Sequence, residues 1–233
     1  MTFNWDAYGE ALLDYLNDRY VPPLLLNTSY GVQEDMPADV FFRESDDFNE
    51  LETYALDLAR GKVLDVGAGA GAFALALQAK GLEVTALEIS GQACEVMRQR
   101  GVKDVQNSSL EKFTGGSYDT ILFMMNGLGL FGTLGGLRKG LKEIKKLLKP
   151  GGIIIADSSD IRYLYESALP ENFYFGEINY QYIYHRRPGD WFKWIYVDQK
   201  TLQFVANEAG LYCQVVYEGE NDHYLVMMKP KDD

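Results

Sequence analysis

The sequence predicts an α/β fold, a doubly wound sheet of mainly parallel strands with helices on both faces. Short runs of β-branched and aliphatic residues alternate with helical segments between Val63 and Ala156. Such alternation is typical of parallel strands joined by crossover helices. A glycine-rich turn directly after the first of these strands is the second observation, because open α/β sheets bind their ligands at turns of this kind.

The first strand of this sheet, Val63–Val66, leads into a loop with glycine at alternate positions, Gly67, Gly69 and Gly71. An Ala/Leu-rich helix begins at Ala72. Glycine permits positive φ and a close approach of the backbone to a ligand, while the start of a helix offers unpaired N–H groups and a positive dipole end. We therefore expect a nucleotide-like or carboxylate-bearing ligand. The spacing of Gly67, Gly69 and Ala72 also fits a dinucleotide fingerprint, so a nicotinamide cofactor remains open at this point.

Polar side chains follow the next strands at the same edge of the predicted sheet. Glu88 ends the second strand, 21 residues after Gly67, at the spacing where a carboxylate commonly accepts hydrogen bonds from ribose hydroxyls. Asn126 follows the fourth strand, and the run Asp157-Ser158-Ser159-Asp160 follows the fifth. Ligands bind outside the carboxyl ends of parallel strands, so these are candidate site residues.

The chain length of 233 residues fits one core domain, which we place at residues 61–233, after an N-terminal segment of residues 1–60. Aromatic and aliphatic residues recur at helical spacing from Trp5 to Leu16, which predicts an amphipathic helix. Residues 24–47 are predicted to be an irregular linker before a second helix. The segment is longer than a linker requires, so we expect a helical cap that is either a lid over the glycine loop or a packing appendage.

The last third of the chain predicts antiparallel structure. Two aromatic-rich runs flank Arg186-Arg187-Pro188-Gly189-Asp190, which indicates a β-hairpin inserted at about residues 171–197. A final hairpin is expected over residues 211–228. The aromatic residues of the inserted hairpin either wall an apolar or cationic substrate pocket or cover an edge strand or dimer face. Both a monomer and a homodimer therefore remain open.

The charge balance argues against polyanionic partners. The chain has 34 acidic and 22 basic residues and a formal net charge of −12. We therefore expect neither nucleic acid nor a membrane surface as a partner. Cys94 and Cys213 lack the spacing of metal ligands, and neither a signal peptide nor a membrane span is apparent in the sequence. These features predict a cytoplasmic protein with reduced cysteines.

Four segments of the chain carry a family resemblance. They are Val63–Gly71, Ala86–Ser90, Tyr118–Leu122 and Leu147–Gly152, and they extend over about residues 60 to 160. Together they resemble the class I S-adenosylmethionine-dependent methyltransferases. This resemblance implies a Rossmann-like sheet of seven strands, the last of them antiparallel, and S-adenosylmethionine as the cofactor. More narrowly, the segments Met125–Gly129 and Asp157–Asp160 resemble small bacterial methyltransferase domains of unknown substrate.

The resemblance also implies roles for individual residues. The implied cofactor-binding set is Asp65, Gly67, Ala68, Gly69, Gly71, Glu88, Ile89, Ser108, Ser109, Leu110 and Asn126. In this interpretation the loop bends around the methionine part of the cofactor, and Asp65 supports the loop. Glu88 binds the ribose hydroxyls, and Ile89 packs on the adenine. Ser109 stands where the family often offers an acid to the adenine, and Asn126 lies beside the transferable methyl group.

Methyl transfer from a sulfonium is an in-line displacement, so positioning supplies most of the catalysis and a base is needed only when the acceptor loses a proton. Our candidate catalytic residues are His185, Asp160 and Asn126. Arg43, in the N-terminal segment, is a candidate for binding a carboxylate of the cofactor or substrate. Asp157, Asp160 and Asn126 would also suit an oxygen-rich metal site, but helix caps explain the acids more simply, and no metal is predicted.

The function that the sequence predicts is methyl transfer from S-adenosylmethionine to a small-molecule acceptor. No Asn/Asp-Pro-Pro-Tyr motif follows the fourth strand, which argues against amino methylation of nucleic-acid bases. Two alternatives remain. One is a nicotinamide-dependent oxidoreductase, because of the ambiguous glycine spacing. The other is a non-catalytic module that binds the cofactor and interacts with, or methylates, a protein partner.

Overall fold

The computed structural model describes residues 5–165 and 168–231. The helices are α1 (Ala7–Leu16), α2 (Glu50–Leu58), α3 (Ala72–Ala79), α4 (Gly91–Arg100), α5 (Leu134–Lys145) and α6 (Gln199–Glu208). The strands are β1 (Leu25–Thr28), β2 (Gln33–Asp35), β3 (Lys62–Val66), β4 (Glu83–Glu88), β5 (Asp104–Asn107), β6 (Tyr118–Phe123), β7 (Leu148–Ser159), β8 (Glu177–Tyr184), β9 (Arg187–Pro188), β10 (Phe192–Ile195), β11 (Leu211–Glu218) and β12 (His223–Pro230).

The main sheet has seven strands in the order β11-β12-β7-β6-β3-β4-β5. The strands from β3 to β7 pair in parallel, whereas β12 runs antiparallel to β7 and to β11. The order reverses direction at β3, so the carboxyl ends of β3 and β6 flank a switch point, where open α/β sheets bind ligands. The predicted doubly wound sheet with an antiparallel last strand is confirmed.

Helices cover both faces of the main sheet because its central strands are apolar on both sides. Leu64 and Ile121 pack with α5 and α6 on one face, while Val63 and Leu122 pack with α2, α3 and α4 on the other. Successive strand residues point to opposite faces, so a continuous apolar run buries both faces at once. This packing holds the carboxyl ends of the strands in fixed register.

The segment at residues 24–47 is not an irregular linker, and that prediction was wrong. It forms β1 and β2, which join the inserted hairpin in a second, antiparallel sheet of order β10-β8-β1-β2, with β9 paired to the end of β8. Leu26 lies opposite Tyr182 in the β1–β8 register. A four-residue strand whose partner lies some 150 residues later has too little periodicity to be recognised locally.

The N-terminal helix α1 connects the two sheets. Asp6 caps it, because its Oδ1 accepts from the backbone N–H of Gly9 at 2.8 Å. The other carboxylate oxygen accepts from the Ser90 hydroxyl at the start of α4 at 2.5 Å. Leu12 is fully buried in a small cluster with residues of α4, and α1 also contacts β8. Within the described residues, no helix has the length and apolarity needed to cross a membrane.

Candidate functional site

The glycine loop follows β3 and turns across the end of β4. Gly67, Gly69 and Gly71 have φ values of 74°, 58° and 85°. The N–H of Gly67 donates to the carbonyl of Leu87 at 2.8 Å. Positive φ at these alternate positions strongly favours glycine and exposes backbone rather than side chain along the loop.

Two side chains from other elements close over this loop. A Cβ on Gly67 would lie 2.8 Å from Cδ1 of Leu130, and a Cβ on Gly69 would lie 2.8 Å from the phenol oxygen of Tyr8. Leu130 belongs to the turn after β6, and Tyr8 belongs to α1. Side chains at Gly67 and Gly69 would therefore fill the space along the loop. We call this space the glycine cradle.

Asp65 lies beneath the loop and is only 2% exposed. One of its carboxylate oxygens, Oδ2, is buried without a hydrogen-bond partner among the described residues. Burial, and after it the charge of Glu88, raises the pKa of Asp65 from its ordinary 3.8 to about 7, against the opposing effect of the Ala74 N–H. An unpartnered buried carboxylate beside a bare glycine loop fits the cationic methionine end of S-adenosylmethionine.

Glu88 is fixed at the end of β4 by backbone donors. Its Oε2 accepts from the Gly69 N–H at 3.0 Å, and its Oε1 accepts from the N–H groups of Ile89 and Ser90 at 2.7 and 2.9 Å. Burial raises its pKa, and these three hydrogen bonds oppose the shift. A carboxylate has about four lone-pair sites, so three donors leave room for a ligand hydroxyl.

The segment after β5 lies against the same strand end. The Ser108 N–H donates to the Glu88 carbonyl at 3.0 Å, and Ile89 is 37% exposed beside it. Asn107, which the sequence analysis did not single out, donates to the carbonyls of Glu88 and Ile89 at 3.1 and 3.0 Å. Leu110 packs partly buried against the main core. Ile89 thus offers an exposed apolar surface next to the Glu88 carboxylate.

Asn126 follows β6 in a strained backbone segment. It has φ of 55°, and Met125 before it has φ of 58°, both unusual for residues with a side chain. The Asn126 N–H donates to both oxygens of Asp157 at 3.0 Å, and its side-chain oxygen accepts from the Ser159 hydroxyl at 3.1 Å. Contacts with the end of β7 thus hold Asn126 at the switch point of the sheet.

A histidine that the sequence analysis missed completes this edge. His223 Nε2 lies 2.7 Å from Oδ2 of Asp157, and Asp157 is 1% exposed. The antiparallel pairing of β12 with β7 brings His223 opposite Ser159. The sequence contained one signal that could have predicted this contact, namely the expected antiparallel last strand. That orientation puts the first residues of β12 beside the last residues of β7.

Three predicted residues have partners away from this edge or loop. His185 lies 3.3 Å from Asp14 on α1, and Arg43 makes paired hydrogen bonds to Glu52 at 2.6 and 2.8 Å. Asp160 is near the edge, but Arg162 holds its carboxylate. The described contacts do not bring His185 or Arg43 together with the glycine loop, so their roles stay predictions. Among the described residues, no group of three His, Cys, Asp or Glu side chains is arranged to hold a metal ion.

Aromatic side chains of the second sheet and α1 cover the site; we call Tyr8, Tyr180, Tyr182, Trp194 and Tyr196 the aromatic cover. Tyr8 stacks on Tyr182 with ring centres 5.3 Å apart, and the phenols of Tyr180 and Tyr196 are 3.1 Å apart. Trp194 lies so close to Gly129 that no Cβ fits there.

The electrostatics of the aromatic cover connect it to the polar edge. Burial raises the pKa of Tyr8, and the charge of Glu88 adds to the shift. Burial also raises the pKa of Tyr196, with smaller contributions from the charges of Glu34 and Asp157. These phenols therefore stay neutral at physiological pH, and the charge of Glu88 acts on Tyr8 as that of Asp157 acts on Tyr196.

Comparisons with known proteins agree on one family. A family model described as a methyltransferase domain matches residues 64–156. "Putative methyltransferase YqeM" of Bacillus subtilis (strain 168) is 27% identical over 105 residues, which span 42% of this chain and 42% of that protein. A crystal structure of a SAM-dependent methyltransferase from Bacteroides fragilis, in complex with S-adenosyl-L-homocysteine, is 37% identical, with a TM-score of 0.90. The match covers 97% of this chain and 95% of that one.

A more distant structure shares the fold. The sugar N-methyltransferase KedS8 from Streptoalloteichus sp ATCC 53650 is 13% identical, with a TM-score of 0.61, over 87% of this chain and 96% of that one. The Bacteroides fragilis match settles the cofactor in favour of S-adenosylmethionine over a nicotinamide, and the glycine cradle with the unpartnered Asp65 oxygen fits that cofactor. The chain belongs to the class I S-adenosylmethionine-dependent methyltransferases.

Proposed function

We propose that this methyltransferase acts on a small molecule that carries an amine. The observation that supports this acceptor class is the aromatic cover, whose Trp194 lies against Gly129, three residues after Asn126. We further propose that the glycine loop and Asp65 bind the methionine part of the cofactor, Glu88 the ribose hydroxyls, and Ile89 with residues 108–110 the adenine. Asn126 would then lie beside the methyl group.

Support for a small acceptor comes from the enclosure of the site. Tyr8 approaches Gly69, Leu130 approaches Gly67, and Trp194 packs on Gly129. A folded protein or a nucleic-acid duplex has no clear path to the methyl group past these contacts. The fold shared with KedS8, named as a sugar N-methyltransferase, agrees with a small amine-bearing acceptor.

Support for an amine comes from charge. Asp157 is buried at the edge, and the tyrosine and tryptophan rings of the aromatic cover present negative faces. The formal net charge of −12 draws cations rather than anions toward the protein. An ammonium group would replace its hydration shell with carboxylate and ring contacts in such a site. The proposed setting for this reaction is the cytoplasm.

The chain's own residues mainly bind, orient and exclude water. When bound, S-adenosylmethionine supplies an electrophilic methyl group on a sulfonium. The strained Met125-Asn126 backbone fixes the Asn126 side chain, and the aromatic cover keeps water from the reacting atoms. Holding the amine lone pair in line with the methyl–sulfur bond is then the main source of rate.

The test uses methyl-labelled S-adenosylmethionine with D-glucosamine, catechol, casein and bulk tRNA as separate probes. We expect label on D-glucosamine and none on casein or tRNA. Label on catechol alone would exclude the amine, and label on casein or tRNA would exclude the small-molecule class. In parallel, S-adenosylhomocysteine at 100 times its dissociation constant should stabilise the fold by about 2.7 kcal/mol, or roughly 5 to 10 °C. Stabilisation without any transfer would favour the non-catalytic module.

A further inference from the structure

We propose that His223, oriented by Asp157, is the general base that takes the proton from the methyl acceptor. This inference rests on the proposed amine acceptor. Its basis is the pairing of His223 Nε2 with Asp157 Oδ2 at 2.7 Å, at the same edge where Asp157 also binds the Asn126 backbone. The acceptor atom must lie near Asn126 if that residue borders the methyl group.

The pairing determines which nitrogen of His223 is free. A carboxylate accepts but does not donate, so the Nε2 atom carries the proton that lies between the two residues. The neutral imidazole then has its lone pair on Nδ1, and no described residue donates a hydrogen bond to that atom. The His223 side chain is 27% exposed, so part of the ring is open to solvent.

The position of His223 matches the reacting edge. His223 lies opposite Ser159 in the β12–β7 register, and the Ser159 hydroxyl donates to the Asn126 side chain at 3.1 Å. Asp157 therefore contacts both His223 and the Asn126 backbone. Ser159 makes a second link, because it pairs with His223 and its hydroxyl donates to the Asn126 side chain. The other histidine, His185, is 43% exposed and pairs with Asp14 on α1 instead.

The ionisable groups around His223 are mostly acidic. The segments near the start of β12 carry several ionisable groups: Asp157 on β7, Asp160 directly after β7, Tyr196 after β10, Glu218 on β11, Glu220 and Asp222 in the connecting turn, and Glu50 on α2. Arg162 is the nearby cation, and it is held by Asp160. Apart from Arg162, the charged groups around His223 are therefore carboxylates, and Asp157 is the one in direct contact with it.

The proposed step balances as follows. The bound ammonium of the acceptor first gives one proton to Nδ1 of neutral His223, and the imidazolium that forms stays paired with Asp157. The freed amine lone pair then forms a nitrogen–carbon bond to the methyl group as the carbon–sulfur bond breaks, that electron pair stays on sulfur, and the methylated product leaves as an ammonium. Solvent takes the proton after the product leaves, which restores the base.

The first test asks whether Nδ1 is available, without needing an acceptor. Diethyl pyrocarbonate modifies unprotonated, accessible imidazole nitrogens, and the chain has two histidines. In the S-adenosylhomocysteine complex of the His185→Gln variant, we expect a single carbethoxyl group, on His223. A variant with both histidines replaced by Gln is the control for carbethoxylation of residues other than histidine. An unmodified His223 would overturn the proposal, because a base must present its lone pair.

The second test separates a base from a structural residue. With D-glucosamine as acceptor, His223→Gln should lower kcat by on the order of a hundredfold and flatten the fall in kcat at low pH, with cofactor affinity unchanged. The matched Lys229→Gln variant, at an exposed position on the same strand, should keep both the rate and the pH profile. A His223→Gln enzyme with wild-type kcat and pH profile would overturn the base assignment. Failure of D-glucosamine as a substrate would instead count against the proposed acceptor, since the carbethoxylation result does not depend on it.

Discussion

Asp65 and Glu88 are two buried carboxylates near the ends of neighbouring strands. Burial, and after it the charge of Glu88, raises the pKa of Asp65 from its ordinary 3.8 to about 7. Without a cation nearby, this arrangement costs stability when both groups are ionised. A positively charged ligand group beside Asp65 would relieve that cost. The individual residues of the cofactor site thus couple ligand binding to pH.

The first prediction concerns Asp65→Asn. A folded-state pKa of about 7 against an ordinary 3.8 means that folding favours the protonated form. Wild-type stability from this group is therefore complete below about pH 4 and is lost as pH rises to about 7. We expect the variant to unfold at a higher temperature than wild type at pH 8, with a smaller difference at pH 5. Equal pH dependence of the two unfolding curves would contradict the raised pKa.

The same variant should weaken ligand binding. Ionised Asp65 attracts the ammonium of S-adenosylhomocysteine, so we expect wild-type affinity to increase as pH rises through about 7. Asp65→Asn should bind roughly tenfold more weakly at pH 8, or about 1.4 kcal/mol, with a flatter pH dependence. Isothermal titration calorimetry at several pH values measures both effects.

The second prediction concerns Glu88→Gln. The amide keeps one acceptor oxygen for the Gly69 or Ile89 N–H but loses the charge and lone pairs proposed to bind ribose. Hydrogen bonds to charged groups contribute about 1.5 to 3 kcal/mol, so the dissociation constant of S-adenosylhomocysteine should rise roughly 10- to 100-fold. Glu83→Gln, at the exposed start of the same strand, is the matched control and should bind normally. Equal affinities for the two variants would remove Glu88 from the ribose site.

At the scale of elements, α1 is the connection between the cofactor loop and the second sheet. Tyr8 lies against Gly69 on one side and stacks on Tyr182 of β8 on the other. Asp6 caps the helix and accepts from Ser90 at the start of α4. These contacts place α1 against the glycine loop, where it could act as a lid.

The third prediction tests whether α1 acts as a lid. Asp6→Ala removes the cap of α1 and its link to Ser90, and should cost about 1 to 2 kcal/mol of stability. We also expect faster release of S-adenosylhomocysteine in stopped-flow experiments, because α1 opens more often. Asn49→Ala removes a comparable cap from α2, where Asn49 accepts from Glu52 at 2.9 Å, and should leave the release rate unchanged. Identical release rates in the two variants would make α1 a packing appendage.

At the scale of the whole molecule, two segments that lie far apart in the chain build one sheet. β1 from the N-terminal segment lies beside β8 from the inserted hairpin, and α1 packs on β8. Tyr180 and Tyr184 of β8 are buried by these neighbours. The second sheet therefore contains strands from both sides of the proposed boundary between residues 1–60 and 61–233.

The fourth prediction is that residues 61–233 depend on the N-terminal segment. A chain that begins at residue 48 lacks α1, β1 and β2, so β8 would expose an unpaired edge and its tyrosines to water. We expect this truncated chain to aggregate or to lose cooperative unfolding, as measured by size-exclusion chromatography and thermal circular dichroism. A monomeric truncated chain that still binds S-adenosylhomocysteine would show that the first segment is a separable cap.

Local sequence was sufficient for the main sheet and the cofactor loop. The glycine spacing, the strand that precedes it and the acid that ends β4 are features of neighbouring residues, and their structure follows from backbone sterics and hydrophobic periodicity. The position of Glu88 beside Gly69 could be predicted because parallel strands align their carboxyl ends. Local pattern therefore predicted the cofactor better than the catalytic groups.

Long-range packing decided the rest of the site. His223 and Asp157 are 66 residues apart, and β1 pairs with β8 across some 150 residues, so no local pattern reports either contact. Arg43 has the chemistry to bind a ligand carboxylate, but folding places Glu52 within reach of its guanidinium. The sequence by itself determined the fold class and the glycine loop, because these depend on short-range backbone preferences, and the family resemblance of its motifs implied the cofactor. Only the tertiary structure decided which titratable groups meet at the reacting edge, because side chains distant in sequence become neighbours only when the sheets pair.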